Sequence, residues 1–260
     1  MSEIKKNQQI ALYTVELKTT SPFHIGAYQD PMSDVNSPFT TLSGVPVVQG
    51  ASLKGALRAQ LEEYLILNYP SDTAMKPCIP APWNNLSKDE RALLGQEGQP
   101  GPYRGSSCGE RRGWPKTLCP TCYLFGAQGL VGFVRAPYLY LVGEEEIEEV
   151  YENRRDRASN TVASGANRTL QTIPQGAVFR GTLEVILHDH IREWTLGQPR
   201  RKLKSYRDEW LEPHGRDPQA DFIREFILDR LEAIPRMGGF VSKGFGNVEM
   251  KVTPAGEKAV

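Results

Sequence analysis

This chain has no surplus of charge. Its 260 residues carry 31 Lys plus Arg against 31 Asp plus Glu, so net charge neither supports nor excludes a nucleic-acid partner. Any basic surface has to be a local patch. The sequence also lacks an apolar run approaching the roughly 20 residues that span a bilayer, and residues 1–10 hold no apolar signal core. It therefore reads as having no membrane partner and a cytoplasmic location. No internal repeat or low-complexity tract occurs. No Gly-Lys-Ser/Thr phosphate loop is present, which leaves nucleotide hydrolysis unsupported. No His-x-Glu triplet accompanies the cysteines, which argues against a zinc deaminase.

What stands out instead is a pair of glycine-flanked segments at opposite ends. Gly50-Ala-Ser-Leu-Lys-Gly55 opens a helix, and Gly238-Gly-Phe-Val-Ser-Lys-Gly-Phe-Gly246 precedes the final strand. Each puts small residues, a hydroxyl and a lysine where bare backbone can approach a phosphate. From its residues alone, the first is equally an ordinary capped helix. The second supplies several backbone amides, a lysine and an aromatic face, with a tight turn as the plainer alternative.

Periodicity orders the rest. Tyr13, Val15 and Leu17 alternate with polar residues, which predicts a strand at about 11–18. Leu53, Leu57, Leu61 and Leu65 recur every four residues and predict an amphipathic helix over 52–65, with Lys54 and Arg58 one turn apart on another face. Aromatic and branched residues predict a strand over 132–142, and the alternation of Phe179, Gly181, Leu183, Val185 and Leu187 predicts another over 177–187. Phe222, Ile223, Phe226, Ile227, Leu231 and Ile234 predict a helix ending before Pro235. Val248, Met250 and Val252 mark a last strand. The order β, α, β, β, α, β predicts an α+β, ferredoxin-like (RRM-like) palm, with an antiparallel sheet and both helices on one face. The whole of 1–260 reads as a single domain with long insertions at 66–131 and 143–175. Loops of that length within a compact domain are usually functional.

All four cysteines, Cys78, Cys108, Cys119 and Cys122, lie in the first insertion. Cys119-Pro-Thr-Cys122 has the spacing that lets two thiolates grip one tetrahedral ion, and four thiolates would close a structural zinc site. The insertion is poor in apolar periodicity, so a metal would supply folding energy that burial does not. A redox pair or separately buried cysteines are the alternatives, though no thioredoxin-like order surrounds the motif. Basic residues gather at Arg104, Arg111, Arg112 and Lys116, at Arg154, Arg155, Arg157 and Arg168, and at Arg200, Arg201, Lys202, Lys204 and Arg207. Such runs are most often solvated faces.

Taken together, several of these residues resemble the RAMP superfamily. They are the Phe23-His24-Ile25-Gly26 turn, the Gly-x-Ser-Leu-Lys-Gly helix start, Leu124-Phe125-Gly126, and the glycine-rich loop before the last strand. Asp156-Arg157 followed by Ala163 to Gly165, and Pro174-x-Gly176-x-x-Phe179, add a thumb-like segment and the strand after it. The likeness covers essentially the whole chain. It is strongest to the repeated backbone subunit of type III CRISPR effector complexes, with a cysteine-bearing insertion similar to that of divergent, zinc-containing members. The resemblance implies an antiviral ribonucleoprotein in which copies assemble head to tail on guide RNA, beside target RNA and other RAMP and effector subunits. Carried onto this chain, it marks His24, Ser52, Lys54, Arg58, Arg154, Arg155, Gly239, Lys243 and Phe245 as RNA-binding candidates, with 150–172 as thumb. Base pairing would then supply sequence specificity, and the protein would read backbone and shape.

The resemblance also raises endonuclease (hydrolase) activity on target RNA, with magnesium or another divalent metal. Active relatives carry Asp-Ser-Pro after the first strand, whereas this chain has Asn36-Ser37-Pro38. Asparagine keeps the shape and loses the charge. Asp34 is then the first catalytic candidate and Asp30 the second, with turn formation as their structural alternative. A purely architectural, guide-binding subunit is the competing expectation. A nuclease processing precursor guide RNA through His24 is a third.

Overall fold

The structure is a computed structural model. It describes residues 7–29, 32–72, 74–78, 108, 118–127, 129–155, 158–159, 161–200, 208, 210–211 and 219–255, without the side chains of 154, 155 and 163–167. Asp30, the basic residues 104, 111, 112, 116, 157, 201, 202, 204 and 207, and most of 79–117 lie outside the described residues.

The fold is α+β and mostly antiparallel. Its strands are β1 (Gln8–Thr19), β2 (Thr41–Leu42), β3 (Val45–Val48), β4 (Val134–Arg135), β5 (Leu139–Val142), β6 (Glu148–Arg155), β7 (Val162–Thr172), β8 (Val178–Asp189), β9 (Trp194–Thr195) and β10 (Val248–Pro254). The helices are α1 (Gly50–Asn68), α2 (Pro120–Phe125), α3 (Gln219–Ile223) and α4 (Asp229–Glu232). The main sheet runs β10-β1-β8-β5-β3-β2, with β4 and β9 both paired to β8, and β6 pairs with β7 in a separate hairpin. Among the described residues, no helix is long and apolar enough to cross a membrane.

The chain forms two compact units. One comprises Met1–Tyr13, Lys54–Ala136 and Leu183–Ala233; the other comprises Thr14–Leu53, Pro137–Thr182 and Ile234–Val260. The first is built on Leu57, Leu61 and Leu65 of α1, all buried together with Leu183 and Val185 of β8. Phe222 and Phe226 pack with ring centroids 4.9 Å apart, and Trp210 stands 5.3 Å from Tyr123. The second unit is centred on Val15, Leu17, Phe23, Phe39 and Phe179; the Phe23 and Phe179 rings lie 5.7 Å apart. Burying such aromatics removes their surface from water and adds pair geometry worth about 0.5–1.5 kcal/mol each.

Three elements depart from the sequence expectation. The strand expected over 132–142 is two short strands. Val134 pairs with Val185 and Tyr140 with Arg180, so six steps of one chain face five of the other. Pro137 lies in the interruption, where it has no N–H to give the ladder, and a side chain at Gly181 would collide with the Tyr138 carbonyl. The last helix contains a π turn over Arg224–Leu228, in which the Asp229 N–H reaches back to the Arg224 carbonyl. This inserted residue shifts the buried face partway along, a feature that periodicity does not show. Finally, the expected insertion 143–175 contains the β6–β7 hairpin, whose register shifts between Asn153 and Arg155.

Candidate functional site

The first compact unit contains the cysteine cluster. Pro120 opens α2 at a position where a missing N–H costs nothing, and Cys119 is its N-cap, its sulfur accepting from the Cys122 N–H at 3.4 Å. The cap therefore turns both knuckle sulfurs to one side. Cys108 and the distant Cys78 join them: Cys78 Sγ lies 3.3 Å from Cys108 Sγ, and Cys108 Sγ lies 3.9 Å from Cys119 Sγ. All four sulfurs fall within 4.8 Å of one another, and all four residues are buried. A zinc–sulfur bond of about 2.3 Å implies tetrahedral edges of about 3.8 Å, so the donor set and spacing fit zinc. Leu118 and Leu130 pack on the cluster with Ala127 and Trp194, which keeps water from the sulfurs.

The electrostatics point the same way. Burial opposes ionisation of Cys119, yet hydrogen bonds from Cys108, Cys122, Cys78 and Thr121 carry its thiol well below the usual range. Hydrogen bonding to Cys108, Cys119 and Cys122, followed by burial, pushes Cys78 up; hydrogen bonding to Cys119 and Cys122 does the same to Cys108. Protein groups alone favour the thiolate of Cys119 at the expense of Cys78 and Cys108. Four thiolates can coexist there only around a cation.

Arg58 belongs to this region. Its Nε donates to Glu62 Oε1 at 2.8 Å and its Nη2 donates to the Cys78 carbonyl at 3.1 Å. Burial opposes its charge, but the Glu62 hydrogen bond and the negative field of Cys122, Glu62 and Cys119 outweigh it and hold the guanidinium protonated. Lys54, one turn earlier, is half-buried, and burial together with the Arg58 charge lowers its pKa.

The second unit contains the glycine-rich loop. Met237 N–H donates to the Gly246 carbonyl at 2.8 Å, Gly246 N–H to the Pro22 carbonyl at 2.9 Å, and Gly239 N–H to the His24 carbonyl at 2.9 Å. The loop is thereby pinned to the turn after β1. Gly238 has φ +87°, and a Cβ there would run into the His24 carbonyl. Phe240 takes a left-handed backbone, φ 58°, which sets its ring 5.2 Å from that of His24 and 6.2 Å from that of Phe245. His24 is buried, with Nδ1 2.7 Å from the Gln171 carbonyl; burial lowers its pKa and this hydrogen bond partly opposes the shift. Nδ1 donates to that carbonyl, leaving Nε2 as an acceptor.

Lys243 ends a short 3₁₀ turn, Val241–Lys243. Its Nζ contacts Glu152 of β6 at 2.6 Å and stands 5.0 Å from the Phe240 ring. The sequence suggested a loop rich in exposed amides, and the structure engages four of them. The N–H groups of Gly239, Lys243, Gly244 and Gly246 are all used within the protein. What remains for a ligand is the lysine, the aromatic edge and the unengaged part of the backbone.

The loop after β1 is tied to the hairpin strand β7. Asn36 and Ser37 donate their N–H groups to the Thr169 carbonyl at 3.1 Å, and the Asn36 Oδ1 accepts from Thr169 N–H at 2.9 Å. Gln171 N–H returns a bond to the Ser37 carbonyl at 3.0 Å. Asn36 thus clamps the loop to β7 from an exposed position, its side-chain oxygen accepting from the strand. Asp34 is exposed, and Asp30 lies outside the described residues.

Of the nine RNA-binding candidates, the structure brings together His24, Gly239, Lys243 and Phe245 in the second unit. Ser52 is half-buried in the first turn of α1 and belongs to that unit too, whereas Lys54 and Arg58 belong to the first. Arg154 and Arg155 lie on β6 with undescribed side chains. Sequence reasoning missed Phe240, Glu152 and Gln171. Their roles come from contacts spanning long separations, and only the double glycine before Phe240 hinted at an unusual backbone. The family model of the RAMP superfamily matches residues 16–249. No curated protein matches the chain.

Proposed function

The chain belongs to the RAMP superfamily, a family of CRISPR-associated RNA-binding proteins, and from that premise we propose that it is a guide-RNA-binding backbone subunit of a type III-like effector. The observation that carries this reading is the pinned glycine loop, with Lys243, Phe240 and Phe245 beside the His24 turn. A cation next to aromatic edges on a fixed backbone suits a phosphodiester chain read without base specificity. The β10-β1-β8-β5 strand order supports a ferredoxin-like palm, and the β6–β7 hairpin supports a thumb. In this reading 1–260 is one RAMP domain, with the cysteine-bearing insertion at 66–131 and the thumb insertion at 143–175. Copies assemble head to tail along cytoplasmic guide RNA, through an interface that repeats without closing.

Cys78, Cys108, Cys119 and Cys122 would hold a structural zinc, which ties together chain segments distant in sequence. A closed four-thiolate set leaves no open position for a water, so this centre holds shape and does not act on RNA. The binding experiment is titration of single-stranded RNA with the full chain. Phe245→Ala should weaken binding by about 1–3 kcal/mol, and Lys243→Ala should reduce the magnitude of the logarithmic salt slope by about one. Unchanged affinity and slope in both variants would remove the loop from the interface.

Cleavage of target RNA is proposed for Asp34, an exposed carboxylate two residues from the Asn36 clamp, with a divalent metal supplying charge. The architectural reading draws on the same clamp, since the residue in the motif position is neutral and engaged in holding β7. Asp34→Ala in the assembled complex, incubated with complementary RNA with and without chelator, decides between them. The cleaving reading expects cuts to disappear at this subunit's interval while guide binding is retained. Cutting that persists unaltered would refute the assignment.

A further inference from the structure

The resemblance to RAMP proteins placed Arg58 among the RNA ligands, yet its side chain is committed elsewhere. It projects from α1 beside the buried Leu57 and Leu61, and it is only 25% exposed. One arm of the guanidinium meets Glu62 at 2.8 Å and another meets the Cys78 carbonyl at 3.1 Å. Cys78 is the cluster member that local sequence cannot place, since it lies 30 residues from Cys108. No knuckle partner fixes its backbone. From this geometry we infer that Arg58 is a positioning and charge-balancing residue of the cysteine centre, and not a ligand of the RNA backbone.

The inference rests on the zinc reading of that centre. Four thiolates around a divalent cation leave a net charge of −2 in an apolar shell of Leu118, Leu130, Ala127 and Trp194. Uncompensated charge there is costly. A guanidinium is the cation best suited to such a place, because its charge is delocalised, weakly hydrated and delivered through donors in a fixed fork. Arg200, a more fully buried cation of this unit, is engaged differently. Its Nη2 donates to the Tyr123 carbonyl, its backbone N–H donates to Asp208, and its guanidinium stacks over Tyr123, Phe133 and Trp194. The Arg58 side chain, by contrast, bonds directly to a ligand residue's backbone. Glu62 orients the guanidinium and offsets part of its charge, which leaves the fork aimed at Cys78. The third turn of α1 thereby holds the remote ligand in register with Cys108 and the Cys119–Cys122 knuckle.

The test uses the full chain loaded with zinc. Arg58→Met keeps the stem and removes the charge and the fork; it should weaken zinc retention against a competing chelator by about 10–100-fold, the usual effect of losing an outer-shell partner. Arg58→Lys should recover part of that loss. Glu62→Gln leaves the bond to Cys78 in place and should retain zinc nearly as well as the parent. After substitution of zinc by cobalt(II), the thiolate-to-metal absorption of Arg58→Met should shift in energy in the loaded fraction, which a loss of packing alone would not cause. Affinity for single-stranded RNA should be unchanged in the zinc-loaded Arg58 variants. Parent-like zinc retention and cobalt absorption in Arg58→Met, or weakened RNA binding at full zinc occupancy, would overturn the inference. Should Arg58→Met fail to fold, Arg58→Lys and Glu62→Gln carry the test: equal zinc retention in both overturns it, and a loss confined to Arg58→Lys supports it. A parent chain that binds no zinc would refute the zinc reading itself.

Discussion

The cysteine cluster and the glycine loop each bring separate stretches of chain together, and they are organised by opposite means. Around Cys119 the shape comes from side chains: four sulfurs within 4.8 Å and an apolar cover. Around Gly238 it comes from the main chain. Backbone bonds join Gly239 to His24, Gly246 to Pro22 and Met237 to Gly246, and positive φ at Gly238, Gly244 and Gly246 lets the chain follow them. Where long segments must be gathered across sequence, a multivalent centre joins them at one point. Where a short loop must lie close against a turn, absent side chains and satisfied amides do the work.

The largest effect should come from breaking the first device. Cys119→Ser with Cys122→Ser removes half the donor set. Structural zinc centres are worth about 10–16 kcal/mol in small domains at neutral pH, so the first unit should lose cooperative unfolding. Differential scanning calorimetry with parallel zinc analysis reads this. A double variant with the parent's transition and no metal in either protein would show that burial alone holds the cluster.

A smaller effect should come from breaking the second. Gly238→Ala forces a Cβ against the His24 carbonyl at φ +87°. The left-handed backbone alone costs about 1–2 kcal/mol for a side-chain-bearing residue, and the collision adds to it. Urea unfolding should report the loss while zinc content stays at the parent level. If zinc falls together with stability, the two devices are not independent and the contrast between them fails.

The smallest effect concerns Lys243. Its ion pair with Glu152 is partly exposed and worth about 0–1 kcal/mol, so Glu152→Gln should barely alter stability. It should nevertheless tighten single-stranded RNA binding at low salt, because a phosphate no longer competes with a carboxylate for the ammonium. Weaker binding in this variant would instead make Glu152 an organiser of the loop.

Much of the scaffold was legible because its signals are local. Leu53, Leu57, Leu61 and Leu65 repeat every four residues, and all four are buried on α1. Val15 and Leu17 alternate with exposed or half-exposed neighbours and fall inside β1. The π turn at 224–228 was not legible, because one inserted residue leaves the apolar spacing on either side intact. At the candidate sites, the Cys119–Cys122 spacing was legible from the pattern alone. The partnership of Lys243 with Glu152, 91 residues apart, was not.

Residue order by itself determined the alternation and four-residue repeats that make the strands and α1, the close-set cysteine knuckle, and the glycines that permit the loop's left-handed turns. These depend on neighbours within a few residues, where backbone sterics and side-chain spacing decide the outcome. Tertiary structure alone decided that Cys78 completes the cluster, that Arg58 turns to its carbonyl, that Asn36 clamps β7, and that four of the loop's amides are used internally. Each of those is a choice among partners far away in sequence, and it is settled only when burial brings polar groups together that must then satisfy one another.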